Sequence, residues 1–488
     1  MGEARADEFE TVVGLECHVE LSTTTKMFCG CPNEFGAPPN SRVCEVCLGH
    51  PGSLPVPNQK AIEYTMRIGL ALDSTIAPRA LFHRKNYFYP DMPKNFQISQ
   101  YDLPLCTGGH LDIEVDGGVR RIGMNRVHLE EDTGKTTHAG ATGRISEAEY
   151  ALVDYNRAGV PLVEVVSEPQ IRSAEEARAY FTELRALLEA LGVSDVRMEE
   201  GSMRCDANIS VRRRGQRDLG VKAEIKNLNS IRSLYNAVRY EEDRQRQALR
   251  KGEALVQETR HWDESKGMTV PLRSKEYAFD YRYFPEPDLP PVEPDPEWIE
   301  KIRASLPELP AARRARYVID YGLRRETARV LAGSRAWTDL FEEAIELGAD
   351  PVAVANWMTQ DLAGLIREGH ISLTDSPLTA NHLADIIALV KEGTISTAAA
   401  KQVLAEAFTT GAPAEAIVEE KGLRQVSDTG ALGSIVDEVI AENPQQAEQY
   451  RAGKDTLLQF FVGQVMKKTR GSANPQLAAE LLRERLGP

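Results

Sequence analysis

Aromatic residues are scarce, and no apolar stretch is long. Phe, Trp and Tyr make up 7% of 488 residues, and nowhere do apolar residues approach the roughly eighteen in succession that a membrane helix requires. No membrane partner is expected. The opening MGEARADEFE is acidic and lacks the positive region and apolar stretch of a secretory signal, so the cytoplasm is the expected compartment. There is no G-x-x-x-x-G-K-[ST] phosphate loop and no G-x-G-x-x-G after a strand, so any phosphate must be handled by side chains and metal. The absence of a G-x-S-x-G elbow leaves a serine hydrolase unsupported. Repeats of fixed period and low-complexity tracts are also missing, which sets solenoids aside. Basic residues are in deficit, 58 against 73 acids for a net charge of −15, so a uniformly basic DNA-binding protein is excluded.

The length implies roughly three domains. From Thr11 to about Tyr283 short alternating segments and turn signals dominate, which is strand-rich territory. Within it SAEEARAYFTELRALLEAL has apolar residues three and four apart, with Ser173 as N-cap and Glu176 three positions on, the capping box of a helix over 173–191. A second, polar helix is expected over 230–251. The stretch PEPDLPPVEPDP at 285–296 holds six prolines and reads as an interdomain linker. Beyond it almost everything reads as helix: 297–305, 311–321, 324–332, 336–347, 351–368, 380–392 and 396–409. TTGAP at 409–413 then breaks the pattern before a last helical section. The expected fold is an α+β N-terminal domain with an antiparallel sheet (1–292), an all-α domain (293–412) and a small all-α tail (413–488).

Seven cysteines in a chain without a signal do not suggest a disulfide framework. Cys29-Gly-Cys31 and Cys44-Glu-Val-Cys47, twelve residues apart, can supply four thiolates to a tetrahedral structural zinc. The first pair is C-x-C where C-x-x-C is commoner, so reduced cysteines without metal are the alternative.

The chemistry lies in the strands. In TVVGLECHVEL alternation puts Leu15, Cys17, Val19 and Leu21 on one side and Glu16, His18 and Glu20 on the other. MRCDANISV repeats the pattern, with Arg204, Asp206, Asn208 and Ser210 outward, and VKAEIK gathers Lys222, Glu224 and Lys226 on one face. A polar face on a wet antiparallel sheet is ordinary, but three such strands carry histidine and carboxylates for Mg²⁺ and Lys and Arg for phosphate, the parts needed to handle a nucleoside triphosphate such as ATP. Arg204, Lys222 and Lys226 are the candidate phosphate contacts. Two further acidic segments are VHLEED at 127–132, and 163–168 with Glu164. In a regular strand Glu131 would share a side with Val127 and Leu129, and a carboxylate there needs a partner or a metal; otherwise the strand ends before it. Lys85-Asn-Tyr-Phe-Tyr-Pro-Asp91 could set a cation and aromatics beside a base or ribose, or could be core. Cys17 adjoins His18 but points the opposite way, so the two cannot form a nucleophilic pair. Residues 451–488 hold seven cations against three acids, with Lys467, Lys468 and Arg470 as candidate nucleic-acid contacts and a solvated helix face as the alternative.

VVGLECHVEL, RKNYFYPDMPKNFQISQYD, VHLEEDTGK, DYNRAGVPLVEVVSEP, EEGSMRCDANIS, EIKNLNS, DYRYFPEPDLPP and FFVGQVMKKTRGSANP, in this order, closely resemble the B subunit of the aspartyl/glutamyl-tRNA(Asn/Gln) amidotransferases over essentially the whole chain. The resemblance implies a cradle-shaped N-terminal domain and a YqeY-like tail. It also implies ATP-dependent phosphorylation of the side-chain carboxylate of glutamate on tRNA(Gln) or aspartate on tRNA(Asn), followed by amidation. Metal and catalytic roles would pass to Glu16, His18, Glu131, Glu164 and Asp206; parity alone selects Glu16, His18 and Asp206. The four cysteines would match a structural zinc found in some members. No Ser-Ser-Lys amidase signature is present, so ammonia would come from an amidase (A) subunit, with the small (C) subunit in the heterotrimer on the misacylated tRNA. Two rival readings are a non-catalytic, zinc-containing tRNA-binding module and a metal-dependent hydrolase built on Glu16, His18 and Asp206.

Overall fold

The computed structural model describes residues 8–139, 149–272, 281–369, 371–425, 429–469 and 473–487. Two compact units divide the chain, Met1–Pro310 and Ala311–Pro488.

The first unit is built on a ten-stranded sheet. Its centre runs Met203–Arg213, Phe9–Glu20, Pro161–Ser167, Gly118–Glu131, each antiparallel to the next. Outside Met203–Arg213 lies Ala223–Leu228, and Glu258–Asp263 then pairs parallel to it. The sheet is antiparallel as expected at its other pairings, and this one parallel pair makes it mixed. The helix Ile231–Lys251 lies between those two strands in sequence, and a crossover of that length returns the chain in the same direction, which a tight hairpin cannot do.

Alternation along the central strands separates two faces. Leu15, Cys17, Val19, Met203, Cys205, Ala207 and Ile209 are fully buried and share one core with Tyr180, Phe181 and Leu184 of the helix Ala174–Leu191 and with Leu234 and Ala237 of Ile231–Lys251. The opposite face is left to the polar side chains. Both helices start where their caps predict. The Ser173 hydroxyl accepts from Glu176 N–H at 3.1 Å, and the Ser230 hydroxyl from Ser233 N–H at 2.9 Å. The Glu176 carboxylate accepts from Arg172 N–H at 2.7 Å instead of returning to Ser173, so the box is closed one residue early, with Arg120 as its second partner.

The proline-rich segment is not a free linker. Phe284–Pro285 pairs with His83–Arg84, Val292 bridges Ala80, Leu289 is buried, and Glu286 accepts from Arg84 at 2.6 and 2.8 Å. Proline removes N–H donors, but an edge strand and single bridges need few of them. The first unit extends through the helix Pro296–Ala304.

The second unit is helical throughout its described residues, with one apolar cluster between Tyr317 and Val418 and another between Leu432 and Leu486. The single helix expected over 351–368 is interrupted: Pro351–Asn356 widens into a π-helical turn, Trp357–Leu362, before Ala363–Gly369. The wider turn buries Trp357, Met358 and Leu362 together, a packing result that period counting misses. At the TTGAP break Gly411 ends the preceding helix at φ 70°.

Candidate functional site

Strand register brings the polar side chains into rows. Glu16 is directly opposite Asp206, His18 opposite both Arg204 and Glu164, and Glu164 opposite His128. Because every second residue faces the same way, the face gathers His128 and Glu130, Glu164, Glu16 and His18, Asp206 and Asn208, and Glu224 from five neighbouring strands.

Two groups of ligand atoms result. His18, Glu130 and Glu164 form the first, and Glu16, Asp206 and Glu224 the second; within each, the nearest ligand atoms all lie within 4.8 Å of one another. In the first, His18 Nε2 stands 3.6 Å from Glu164 Oε2 and 4.0 Å from Glu130 Oε1. His128 Nε2 is 3.5 Å from Glu164 and 3.8 Å from Glu130, and Ser99 Oγ donates to Glu130 at 3.0 Å. Burial opposes ionisation of Glu164, yet His128 and His18 hold its carboxyl well below the usual range. Burial likewise disfavours charge on His18, but Glu164 outweighs it and raises the imidazole. His18 Nδ1 is buried without a hydrogen-bond partner.

In the second group the Lys226 ammonium bridges Asp206 and Glu224. Asn227 N–H donates to Asp206 Oδ1 at 2.9 Å from a left-handed backbone, φ 57°, beside a register shift between Cys205 and Ala207. Asparagine takes that conformation more readily than other non-glycine residues, and here it aims the N–H at the carboxylate. Asn208 Nδ2 donates to Glu16 at 2.9 Å and its Oδ1 accepts from Lys222 at 3.1 Å. A cavity of about 630 Å³ opens here, lined by Glu16, Asn208 and Lys222 and by Val12, Leu219, Val221 and Val256.

Along the same face Arg204 is paired in bidentate fashion with buried Asp132, at 3.1 and 3.2 Å. Burial and the Asp132 charge push the Glu20 carboxyl up to about 8. In the folded protein Glu20 therefore keeps its proton between its ordinary value and about pH 8, while the unfolded chain releases it; this contribution to stability falls as pH rises through that window. The Glu20→Gln variant is expected to resist urea better than the parent at pH 8.5 and to gain little at pH 4.5. Equal urea midpoints at pH 8.5, measured without added divalent cations, would remove the assignment.

The four cysteine sulfurs also lie within 4.8 Å of one another, a spacing that a tetrahedral zinc with 2.3 Å bonds can span. Cys44 N–H points at Cys47 Sγ, 3.2 Å away. Lys26, only 1% exposed, brings its ammonium to 3.7 Å from Cys47 Sγ and 3.3 Å from Tyr155 O. Cys29 and Cys44 as hydrogen-bond partners and Lys26 as a cation, against burial, lower the Cys47 thiol to about 5.

Glu131 is the last residue of its strand and does lie on the apolar side. It pairs with Lys94 and accepts from Ile98 N–H at 2.9 Å, so the structure separates it from His18 and Glu164 and puts Glu130 in their company. Parity in HLEED carried that signal, since His128, Glu130 and Asp132 share the side opposite Val127. Lys85 reaches the first group from the strand His83–Asn86: burial opposes its charge, and Glu130, Tyr283 and Glu164 keep it protonated. Phe88 and Tyr89, 71% and 51% exposed, are not core. In the tail, Lys467 is exposed, Lys468 is paired with Glu438 and Glu442 at 2.8 and 2.7 Å, and Arg470 lies outside the described residues.

Against known families, residues 11–300 match the GatB/GatE catalytic domain and residues 339–486 the GatB domain. The chain belongs to the B subunit family of the tRNA-dependent amidotransferases. It is 53% identical over 479 residues to the aspartyl/glutamyl-tRNA(Asn/Gln) amidotransferase B subunit of Carboxydothermus hydrogenoformans, covering 98% of this chain and 99% of that protein. It is 53% identical over 479 residues to that of Moorella thermoacetica, 98% and 100% covered, and 50% over 477 residues to that of Brevibacillus brevis, 98% of each covered. The B subunit is part of a ligase that forms carbon–nitrogen bonds, which agrees with the catalytic reading and not with a non-catalytic binding module. Among the described residues no helix is long and apolar enough to cross a membrane.

Proposed function

We propose that this chain uses ATP to phosphorylate the side-chain carboxylate of glutamate on tRNA(Gln) or aspartate on tRNA(Asn), and that ammonia supplied by an amidase (A) subunit, with the small (C) subunit in the heterotrimer, then gives the amide. The observation that carries this reading is the pair of acid-rich groups side by side on one sheet face, next to a cavity with a lysine at its polar end and apolar walls. An ionised carboxylate leaves no group for ammonia to displace. Attack of its oxygen on the γ-phosphorus forms a new O–P bond as the bond to ADP breaks; ammonia then attacks the acyl carbon, and phosphate departs. Positioning and charge neutralisation carry most of such a transfer.

The donor sets fit Mg²⁺: oxygens predominate, as a hard cation requires, and His18 offers a buried, otherwise unpartnered nitrogen. Glu16, Asp206 and Glu224 would hold one ion and His18, Glu130 and Glu164 another; bound Mg²⁺ neutralises phosphate oxygens. Lys222 lines the cavity suited to the nucleotide, Lys85 is held charged by Glu130 and Glu164 of the first group, and Lys226, which bridges Asp206 and Glu224, would be free to meet phosphate oxygens were those carboxylates to hold the ion. Arg204 fixes Asp132 at the far edge of the face. Glu131, paired with Lys94, supports the strand end that carries Glu130. Zn²⁺ at Cys29, Cys31, Cys44 and Cys47 is structural. A three-part division, with its boundaries moved from 292/293 and 412/413 to beyond Pro310 and beyond Val418, a cytoplasmic location and tRNA contacts at Lys467, Lys468 and Arg470 complete the reading.

The test follows ADP release by the assembled heterotrimer with Mg²⁺, on adding Glu-tRNA(Gln), Asp-tRNA(Asn) or uncharged tRNA. Release is expected only with a charged tRNA, and Asp206→Ala is expected to abolish it with tRNA affinity nearly unchanged. Loss of release and affinity together would sink the assignment of Asp206.

A further inference from the structure

Beside the first acidic group stands a set of aromatic rings that neither the core nor the phosphoryl chemistry uses. Tyr101 and Tyr283 are stacked, centroids 4.3 Å apart and planes 10° from parallel. Tyr281 meets Tyr283 edge-on at 6.1 Å, and Tyr87 meets Tyr281 at 6.4 Å. Tyr101 is 57% exposed, so the stack ends in a ring open to solvent. An aromatic surface gains most of its energy when covered, and this one is left uncovered.

The arrangement is imposed on the backbone. Arg282, between the two tyrosines, is left-handed at φ 45°, and Asn86 Nδ2 locks the turn by donating to Tyr281 O at 3.1 Å and Arg282 O at 2.8 Å. A strained residue held by a dedicated side-chain clamp is the pattern of a site whose geometry matters. Below the stack His83, 4% exposed, packs its ring edge on Tyr101 at 6.3 Å; its Nε2 faces Asp102 at 3.0 Å, and its Nδ1 is buried without a partner. The stack also adjoins the chemistry, because the Lys85 ammonium lies 5.2 Å from the Tyr281 centroid and the charges of Glu130 and Glu164 help to keep it protonated.

We infer that the Tyr101–Tyr283 stack is the platform on which the unpaired 3′-terminal base of the tRNA lies while its aminoacyl group reaches the acidic groups. This deepens the proposed function and rests on it. The aminoacyl ester is carried on the terminal ribose, so its base is held within one sugar of the reacting carboxylate. Stacking suits that role because every base has a π-face, so a ring platform binds without reading sequence. The relatives' shared name couples tRNA(Asn) with tRNA(Gln), and because both end in the same 3′-terminal adenosine, one contact to that base serves both.

The experiment measures binding of uncharged tRNA to the heterotrimer, with and without its 3′-terminal adenosine, for the parent, Tyr101→Ala and Tyr101→Phe. The parent and Tyr101→Phe are expected to lose roughly tenfold in affinity when the adenosine is removed, in line with the alanine-scanning value of a stacked base. Tyr101→Ala is expected to bind both tRNAs equally, with KM for ATP unchanged. Equal discrimination by Tyr101→Ala and the parent overturns the platform, and so does a rise in KM for ATP with the tRNA response intact, which would hand the stack to the nucleotide. Because the discrimination between the two tRNAs is read by binding and needs no turnover, its failure is separate from that of the proposed reaction, which fails instead if the parent releases no ADP on adding charged tRNA.

Discussion

Glu130→Gln is expected to lower charged-tRNA-dependent ADP release by about a thousandfold, the scale on which losing one transition-state contact, some 4 kcal/mol, is felt, and Glu131→Gln is expected to leave Mn²⁺ binding to the sheet face intact. The two residues are neighbours in sequence and opposites in space. Glu130 meets His18, His128 and Ser99 and completes a three-ligand group with Glu164. Glu131 is turned to the other side of the strand, where Lys94 and Ile98 N–H satisfy it. Removing a charge from Glu130 takes a ligand from the cation and a carboxylate neighbour from His18 and His128; the same change at Glu131 alters no ligand atom of either group. The measurement is a Mn²⁺ titration by electron paramagnetic resonance alongside ADP release. If Glu131→Gln abolishes cation binding while Glu130→Gln retains it, the strand parity assigned here is inverted and the site must be rebuilt around Glu131.

How far the sequence reveals this site follows from burial. Glu16 and Asp206 were legible because their strands have one apolar face, so alternation in type marks alternation in direction. Their direct pairing across the ladder then follows from register, which no single strand discloses. Glu164 was not legible: Leu162, Val163, Glu164 and Val165 are all buried, and a strand covered on both faces loses the polar alternation that parity reading needs. Glu131 failed for another reason. An acid on the apolar side is tolerable only with a partner, and that partner, Lys94, comes from a segment 37 residues away. The proline-rich segment misled because composition reports which donors are missing and not whether the remaining carbonyls and side chains find partners; Ala80 and Arg84 supply them. The π turn at Trp357–Leu362 is likewise a product of packing, since its sequence continues a helical pattern without a break.

The zinc site carries the other large effect. Cys29→Ser is expected to release the metal and to lower the melting temperature of the chain by on the order of 10 °C, because a closed four-thiolate site contributes its binding free energy to folding. The reason lies in how little regular secondary structure the segment that bears it has. Between the strand ending at Glu20 and the helix starting at Gln59, the regular pairing is an isolated bridge from Thr25 to Pro32, while Met27 and Phe28 from the same segment are buried in the core of the first unit. Cross-linking Cys29 and Cys31 to Cys44 and Cys47 closes this loop onto that core. Lys26 adds to it by setting a buried cation against the thiolates, which offsets their repulsion. Since thiolates and not thiols bind the metal, zinc affinity should fall steeply as the solution is acidified through the range in which the four cysteines regain protons. Metal analysis of purified protein, followed by melting curves of Cys29→Ser beside Cys106→Ser as a buried cysteine outside the cluster, decides the matter: a parent that carries no zinc, or a Cys29→Ser variant that keeps it, would return the four residues to the reduced-cysteine reading.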